Sequence, residues 1–363
     1  MCLFAAARAA APAWFKYNLS AADYPNARCL DGSMGAYYLL PGTDLNFVLH
    51  IQGGGWCTSL DDCAARARFP VYAGEPSIGS STGWGAGGVP CSDALRGSVP
   101  PCESDGGSGG ILSSNATINP LLAGATKAWL GYCSGDGFSG TRVGPVAVNA
   151  STSVYFGGAF ILEAVLAELL GRHGMARASA VVLAGCSAGG ASVFQHADYV
   201  AGVVQAGTGG TARFAAAPGA GFLLDTAPYN GQLNTYTPMN RWVYETVGAN
   251  ASGNAACIAA YEASTPGSAW RCFMPQYALP YITTPLFVAN SAADAAQMAL
   301  IMKLGCSPAV ANSCNASQLA YLDAFHVRGA RAQRRGDCAP CCARSRRLPH
   351  PLPPPCRMKW CRS

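Results

Sequence analysis

A serine between two glycines carries the clearest chemical pattern in this sequence. The stretch Gly185-Cys186-Ser187-Ala188-Gly189 fits the Gly-x-Ser-x-Gly pattern of a nucleophile elbow, a sharp turn that exposes a reactive hydroxyl. Ser81 and Ser108 lie in the same pattern, so the pattern alone does not select one serine. A nucleophile elbow also needs a strand before it and a helix after it. Only Ser187 has both, because "SAVVLA" precedes it and "GASVFQHADYV" follows it.

A serine hydroxyl is a poor nucleophile at neutral pH and needs partners. It requires a base, an acid that orients the base, and N–H donors for the oxyanion that forms during acyl transfer. The run "LNFVLHIQ" predicts a strand over residues 45–52 that stops at three glycines. Because glycine lets the main chain approach a reacting carbonyl closely, the N–H groups of Gly54 and Gly55 are candidate oxyanion donors. The N–H of Ala188, directly after the serine, is the third.

Two aspartates are candidates for the acid. In an α/β-hydrolase fold the acid follows the nucleophile in the chain and comes after a later strand. Asp294 in "PLFVANSAADAAQ" has that placement, and Asp225 in "GFLLD" competes with it. Either carboxylate could instead cap a helix.

None of the five histidines stands in an evident base position. His50 lies on the predicted strand, His173 at the end of a helix and His196 on the helix after the elbow, where packing or surface roles are expected. His326 follows Asp294 closely. His350 is more distant but is enclosed by "LPHPLPPP". The base is therefore not identified, with His350 as the remaining candidate.

The elements that must position these residues alternate along the chain. Strands are predicted at 45–52, from 126, before Ser187, at 221–225 and within 284–294, with a helix over 160–174. This alternation predicts an α/β fold with a mostly parallel sheet, helices on both faces and functional residues at the strand ends. Residues 64–125 are rich in Gly, Ser and Pro and predict a long insertion.

Composition limits the class of protein. Half of the 363 residues are apolar and 12% are charged, and no uncharged apolar run is long enough for a membrane span. Seventeen cysteines favour disulfides in an oxidising compartment over a metal site. Five Asn-x-Ser/Thr sequons fit a secreted glycoprotein: Asn18, Asn115, Asn149, Asn250 and Asn315.

Charge and composition also divide the chain. Residues 328–363 hold nine Arg and one Lys against one Asp, so that segment is +9 and the rest is 5 − 9 = −4. The mildly acidic body gives no reason to expect a nucleic-acid partner. We expect an N-terminal segment at 1–24 that includes part of a signal peptide, one domain at 25–326, and a disordered tail at 327–363.

Several blocks resemble the pectin acetylesterase family, which includes the Notum carboxylesterases. In order they are "CLDGSMGAYYL", "IQGGGWC", "GGILSSNATINP", "YCSGDGFSG", "YFGGAFILEAVLAELL", "GCSAGG", "GFLLD", "CFMPQY" and "TPLFVANSAADAAQ". The resemblance covers residues 28–326. It implies a secreted, cell-wall serine esterase of the α/β-hydrolase type, with Ser187 as nucleophile, Asp294 as acid, and Gly54, Gly55 and Ala188 around the oxyanion.

The resemblance also implies a substrate. The glycine loop is similar to that of the pectin branch, which removes O-acetyl groups from cell-wall pectin without a metal or organic cofactor, and a monomer is expected. The alternatives are a Notum-like esterase that removes a fatty acyl group and a catalytically inactive carbohydrate-binding homologue.

The chain departs from the family pattern at three places. It has Ile51-Gln52 where the family has Leu-Glu, which is expected to change the bracing of the glycine loop. It has Ala197-Asp198 where the family has Cys-Asp, which is expected to remove a disulfide partner. It lacks the His-Cys-Gln block that carries the family's base, so the activity of this chain is expected to be impaired.

Overall fold

A six-stranded mixed sheet forms the centre of the protein in a computed structural model that describes residues 13–68, 78–86, 110–307 and 313–326. Its strands are β1 (Phe15–Asn18), β2 (Ala36–Leu40), β3 (Asn46–Ile51), β4 (Thr126–Leu130), β7 (Ala180–Cys186) and β8 (Arg213–Gly219), in the order β1-β2-β4-β3-β7-β8. A separate hairpin consists of β5 (Val146–Asn149) and β6 (Thr152–Val154). The helices are α1 (Leu60–Arg68), α2 (Gly158–Gly171), α3 (Ala188–Gly207), α4 (Tyr236–Val247), α5 (Ala255–Ser264) and α6 (Pro275–Ala278), and a further helix covers 316–326.

The four central strands run parallel. Strand β3 pairs with β4 on one side and β7 on the other, and β7 pairs with β8 over seven residues. The sheet continues past β8, because Leu286 and Ala289 form parallel bridges to it. Strand β3 is buried along almost its whole length, as expected for a strand that is covered on both faces. The predicted α/β fold class is thus confirmed.

Strand β1 lies at the antiparallel edge of the sheet. It pairs with β2, so that Phe15 lies opposite Leu39 and Asn18 opposite Ala36. Trp14 beside it is fully buried. The sheet therefore begins ahead of the domain boundary that we expect at residue 25.

One predicted strand is wrong. Residues 221–225 have no strand structure, and the strand lies just before them, as β8. Ala220 has a positive φ of 46°, which ends β8 and turns the chain. The N–H groups of Phe222 and Leu224 then donate to the side chains of Asn290 and Gln297, so they are not available to a ladder.

The predicted helix over 160–174 is confirmed as α2, which begins two residues earlier and ends at Gly171. Its sequence "FILEAVLAELL" is rich in strong helix formers. Helix α3 starts at the residue after Ser187 and packs against β3, β7 and β8. Its first ten residues are buried, which fixes the beginning of the helix against the sheet.

Four disulfides join described residues: Cys29–Cys133, Cys57–Cys63, Cys257–Cys272 and Cys306–Cys314. They confirm the disulfides that the cysteine count predicts. Most of the expected insertion, together with Ser108, His350 and the 327–363 tail, lies outside the described residues. Within the part of the chain that the structure describes, no helix is long and apolar enough to cross a membrane.

Candidate functional site

Ser187 lies at a strained turn between β7 and α3. Its backbone has φ 56° and ψ −122°, a conformation that costs a non-glycine residue on the order of 1–3 kcal/mol. The turn is held on both sides. The Ser187 N–H donates to the carbonyl of Gly219 at 3.0 Å, and its carbonyl accepts the first helical bond from Ala191 at 2.9 Å. The structure therefore places this serine in the strand-turn-helix context that the sequence predicts.

The glycines around the serine are required by close packing. A Cβ on Gly185 would lie 2.5 Å from the carbonyl oxygen of Gly189, and one on Gly189 would lie 2.1 Å from that of Ile51. A Cβ on Gly190 would lie 2.3 Å from the carbonyl oxygen of Gly219. Real Cβ atoms do not approach backbone this closely. The small residues of the elbow let α3 begin directly on the ends of β3 and β8.

The glycine loop after β3 lies against the same turn. A Cβ on Gly53 would be 2.5 Å from the carbonyl oxygen of Cys186 and 3.0 Å from the Ser187 Cβ. Gly54 and Gly55 follow with φ 145° and 65°, values that favour glycine. Within the described residues, the N–H groups of Gly54, Gly55 and Ala188 have no hydrogen-bond acceptor. Unpaired N–H groups near a serine are what an oxyanion needs.

Two side chains hold this loop from outside. The Gln52 Oε1 accepts the N–H of Tyr132 at 2.9 Å, which ties the loop to the end of β4. The Arg66 Nη1 donates to the Gly54 carbonyl at 3.0 Å, and Arg66 is itself paired with Asp62 one turn back on α1. Sequence reasoning missed Arg66, since nothing in its local sequence connects α1 to a loop twelve residues earlier.

Asp294 follows the segment that extends the sheet beyond β8. It is 8% exposed, and its Oδ1 accepts the N–H of Gln297 at 2.9 Å, so it caps the turn that begins there. Burial raises the pKa of this carboxyl, while the N–H groups of Gln297 and Ala296 act in the opposite direction. No side chain among the described residues donates to Asp294.

The competing carboxylate, Asp225, is engaged by hydroxyls. Thr237 donates to its Oδ1 at 2.5 Å, and Tyr277 donates to its Oδ2 at 2.8 Å. Its own N–H donates to Gln276. Asp225 thus joins three neighbouring segments together, whereas no side chain of the described ranges donates to the carboxylate of Asp294. This difference favours Asp294 as the acid.

The four described histidines lie elsewhere. His50 stacks on Trp129 at 4.7 Å, and burial lowers its pKa to about 4. His173 bonds the Tyr37 hydroxyl at 2.7 Å. His196 lies 3.3 Å from the Ser139 hydroxyl, and burial lowers its pKa to about 4. His326 is the last described residue of the helix over 316–326 and lies 4.0 Å from Asp323. None of these four side chains forms a hydrogen bond or an ion pair with Ser187 or Asp294.

The Gly-rich block after β4 contains a buried carboxylate that sequence reasoning also missed. Asp136 accepts from the Ser134 hydroxyl at 2.5 Å and from the Gly158 N–H at 3.0 Å, at the start of α2. Burial raises its pKa to about 6, although these hydrogen bonds act to lower it. Asp136 therefore holds this block to α2. An acid within "SGDGFSG" was the only sequence signal for it.

The second Gly-x-Ser-x-Gly match has a different environment. The Ser81 hydroxyl donates to the Met34 carbonyl at 2.6 Å in a segment without helix or strand. Among the described residues, no cluster of three or more His, Cys, Asp or Glu side chains could hold a metal ion.

Comparisons with known proteins identify relatives of the chain. A family model described as Pectinacetylesterase matches residues 13–86 and 91–336. Pectin acetylesterase 7 of Arabidopsis thaliana is 28% identical over 283 residues, which are 77% of this chain and 62% of that protein. The palmitoleoyl-protein carboxylesterase NOTUM of Homo sapiens is 32% identical over 174 residues, 48% of this chain and 29% of that protein.

A solved structure has the same fold. The Wnt deacylase Notum from Drosophila superposes with a TM-score of 0.72 at 24% identity, covering 89% of this chain and 82% of that one. The chain spans about three fifths of the length of the Arabidopsis pectin acetylesterases that it matches.

Proposed function

This chain belongs to the pectinacetylesterase family, and on that premise we propose that it is a serine carboxylic-ester hydrolase that removes O-acetyl groups from pectin. The observation that carries the proposal is the contact between the glycine loop and the elbow. Gly53 packs against the turn at Ser187, and the N–H groups of Gly54, Gly55 and Ala188, which have no acceptor among the described residues, belong to that loop and that turn. The relatives named pectin acetylesterases support the choice of substrate.

The proposed reaction begins at the serine hydroxyl. Ser187 Oγ attacks the acetyl carbonyl, and the three N–H groups stabilise the oxyanion of the tetrahedral intermediate. The base takes the proton of the Ser187 hydroxyl and gives it to the sugar oxygen as the ester C–O bond breaks, and water then hydrolyses the acetyl-enzyme to acetate and restores the serine hydroxyl. Asp294 orients the base. None of the described histidines occupies that position. The identity of the base therefore stays a prediction, and its candidate, His350, lies outside the described residues.

The experiment that tests this function measures acetate released from acetylated pectin, together with the hydrolysis of p-nitrophenyl acetate and of the matching octanoate. A shallow acetyl pocket predicts a clear preference for the acetate ester. A preference for octanoate would instead support the fatty-acyl activity of a Notum-like esterase. Equal rates would leave the acetyl assignment without support.

A second candidate is a non-catalytic carbohydrate-binding protein. The observation that favours it is the position of His50, His173, His196 and His326, all of which have other surroundings. This candidate predicts that the chain releases no acetate and that a fluorophosphonate probe does not label Ser187. Labelling of Ser187 would contradict it, because the probe requires an activated serine.

An extracellular location at the cell wall belongs to the same proposal. The four disulfides support an oxidising compartment. The sequons add a second observation, because the asparagines of all five are exposed. By contrast, three asparagines outside sequons are buried: Asn119, Asn240 and Asn254.

We therefore expect the protein made in a eukaryotic secretory system to carry N-glycans. Treatment with an N-glycosidase should shift its mass on a gel, and peptide mapping should find Asp in place of Asn at the modified sequons. Asn230 is the matched control, because it is exposed but lies outside a sequon. An unchanged mass would contradict the prediction.

A further inference from the structure

An arginine in the segment between α5 and α6 lies against two aromatic rings. The guanidinium of Arg271 lies 5.0 Å from the ring centroid of Trp270 and 5.3 Å from that of Tyr277. Its Nη1 also donates to the Tyr277 hydroxyl at 3.2 Å. All three side chains are partly exposed. We call Trp270, Arg271 and Tyr277 the Arg271 cluster.

The segment that carries the cluster contacts α3 and the residue after the glycine loop. Two residues after Arg271, the carbonyl of Phe273 accepts the Gln195 amide from α3 at 3.0 Å. The Phe273 ring meets the edge of Trp56 at 5.4 Å, and Trp56 directly follows the glycine loop. Tyr277 is bonded to Asp225, which follows β8. The cluster therefore lies at the carboxyl edge of the sheet, as Ser187 does.

Among the described residues, Arg271 has aromatic neighbours but forms no ion pair with a carboxylate. Its guanidinium is linked to Asp225 only through the Tyr277 hydroxyl, and a second guanidinium, that of Arg241, lies 5.9 Å from the ring centroid of Trp270. The other acids of this region are engaged: Glu245 pairs with Arg241 at 2.7 Å, and Glu262 accepts the Gly267 N–H at 3.0 Å. A guanidinium that has no carboxylate partner among the described residues is suited to bind the carboxylate of a ligand.

We infer that the Arg271 cluster is a subsite for a uronate unit of the polysaccharide chain. The guanidinium would bind the sugar carboxylate through paired N–H···O bonds, which lysine cannot reproduce. Because the two rings already fix the side chain of Arg271, little conformational entropy is lost on binding. This inference rests on the proposed function, since it places an anionic polymer across the same edge of the sheet.

The test is binding of de-esterified oligogalacturonate, measured by isothermal titration, to the full chain and to Arg271→Gln. We expect the substitution to weaken binding roughly tenfold or more, as loss of one charge-assisted bidentate contact does. Fully methyl-esterified oligogalacturonate, which has no carboxylate, should bind both proteins equally. Arg271→Lys keeps the charge without the paired geometry and should give an intermediate affinity.

The matched control is Arg213→Gln, which removes the same charge from an exposed residue at the opposite end of β8. It should leave binding unchanged. Equal binding by Arg271→Gln and the unsubstituted chain, with both folded by circular dichroism, would overturn the inference, as would an equal loss in Arg213→Gln. Hydrolysis of p-nitrophenyl acetate by the unsubstituted chain, measured alongside, tests the proposed catalysis separately from the subsite. If that hydrolysis is absent while the binding difference persists, the proposed catalysis fails and the subsite stands.

Discussion

Replacement of Ser187 by alanine is expected to reduce the hydrolysis of p-nitrophenyl acetate by this chain to the background rate. Loss of the nucleophile from a complete serine triad costs on the order of 10⁶ in kcat, because the remaining oxyanion donors act on a much weaker attacking water. The turn itself should survive, since its hydrogen bonds to Gly219 and Ala191 use only backbone atoms. Initial rates with matched protein concentrations measure the effect.

Ser81→Ala is the control for this substitution. It alters the other described Gly-x-Ser-x-Gly serine, whose hydroxyl bonds the Met34 carbonyl in a loop. The rate should change little. Activity that survives in Ser187→Ala, or that is lost equally in Ser81→Ala, would contradict the assignment of the nucleophile. His350→Ala addresses the base in the same assay, and a loss comparable to that of Ser187→Ala would assign that role to His350.

Removal of the Cys29–Cys133 disulfide is expected to cause the largest loss of stability among single cross-links in the described residues. The bond joins residues that are 104 positions apart in the chain. For a loop of about 100 residues, the lost restriction of the unfolded chain is worth about 4.7 kcal/mol. The double variant Cys29→Ser, Cys133→Ser should therefore unfold at a much lower denaturant concentration, as followed by tryptophan fluorescence in urea.

The Cys257–Cys272 disulfide is the matched comparison. It is also buried but spans only 15 positions, for which the same model gives about 3 kcal/mol. The corresponding double variant should lose less stability than the first. The reverse order would show that native-state packing around the cysteines, and not loop length, determines the effect.

The elements around Ser187 could be predicted because local sequence determines them. An apolar run leads into Gly-Cys-Ser-Ala-Gly, and the same short stretch specifies a strand, a turn and a helix. Strand β8 could not be predicted in the same way. Its sequence "RFAAAPG" contains three alanines and a proline and has little intrinsic β-propensity. Pairing with β7 along its full length decides its structure, and that pairing is not visible in the local sequence.

The same limit applies to the carboxylates. The sequence places both Asp225 and Asp294 after apolar runs, and no local feature distinguishes which of the two is the acid. The hydroxyls that engage Asp225 come from Thr237 and from Tyr277, which is 52 positions away. The two aromatic partners of Arg271 are easier to find, since both lie within six residues of it in the sequence. Only the structure shows that their rings pack against the guanidinium.

The close packing of the elbow has a consequence for engineering this protein. Since a Cβ at Gly185, Gly189 or Gly190 would meet backbone atoms within 2.5 Å, libraries randomised at these positions should yield only glycine. Changes of substrate preference must therefore come from residues that surround the turn and not from the turn itself. Trp270, Arg271 and Tyr277 offer partly exposed side chains for that purpose, on short helices that a hydrogen bond from Gln195 to the Phe273 carbonyl ties to α3.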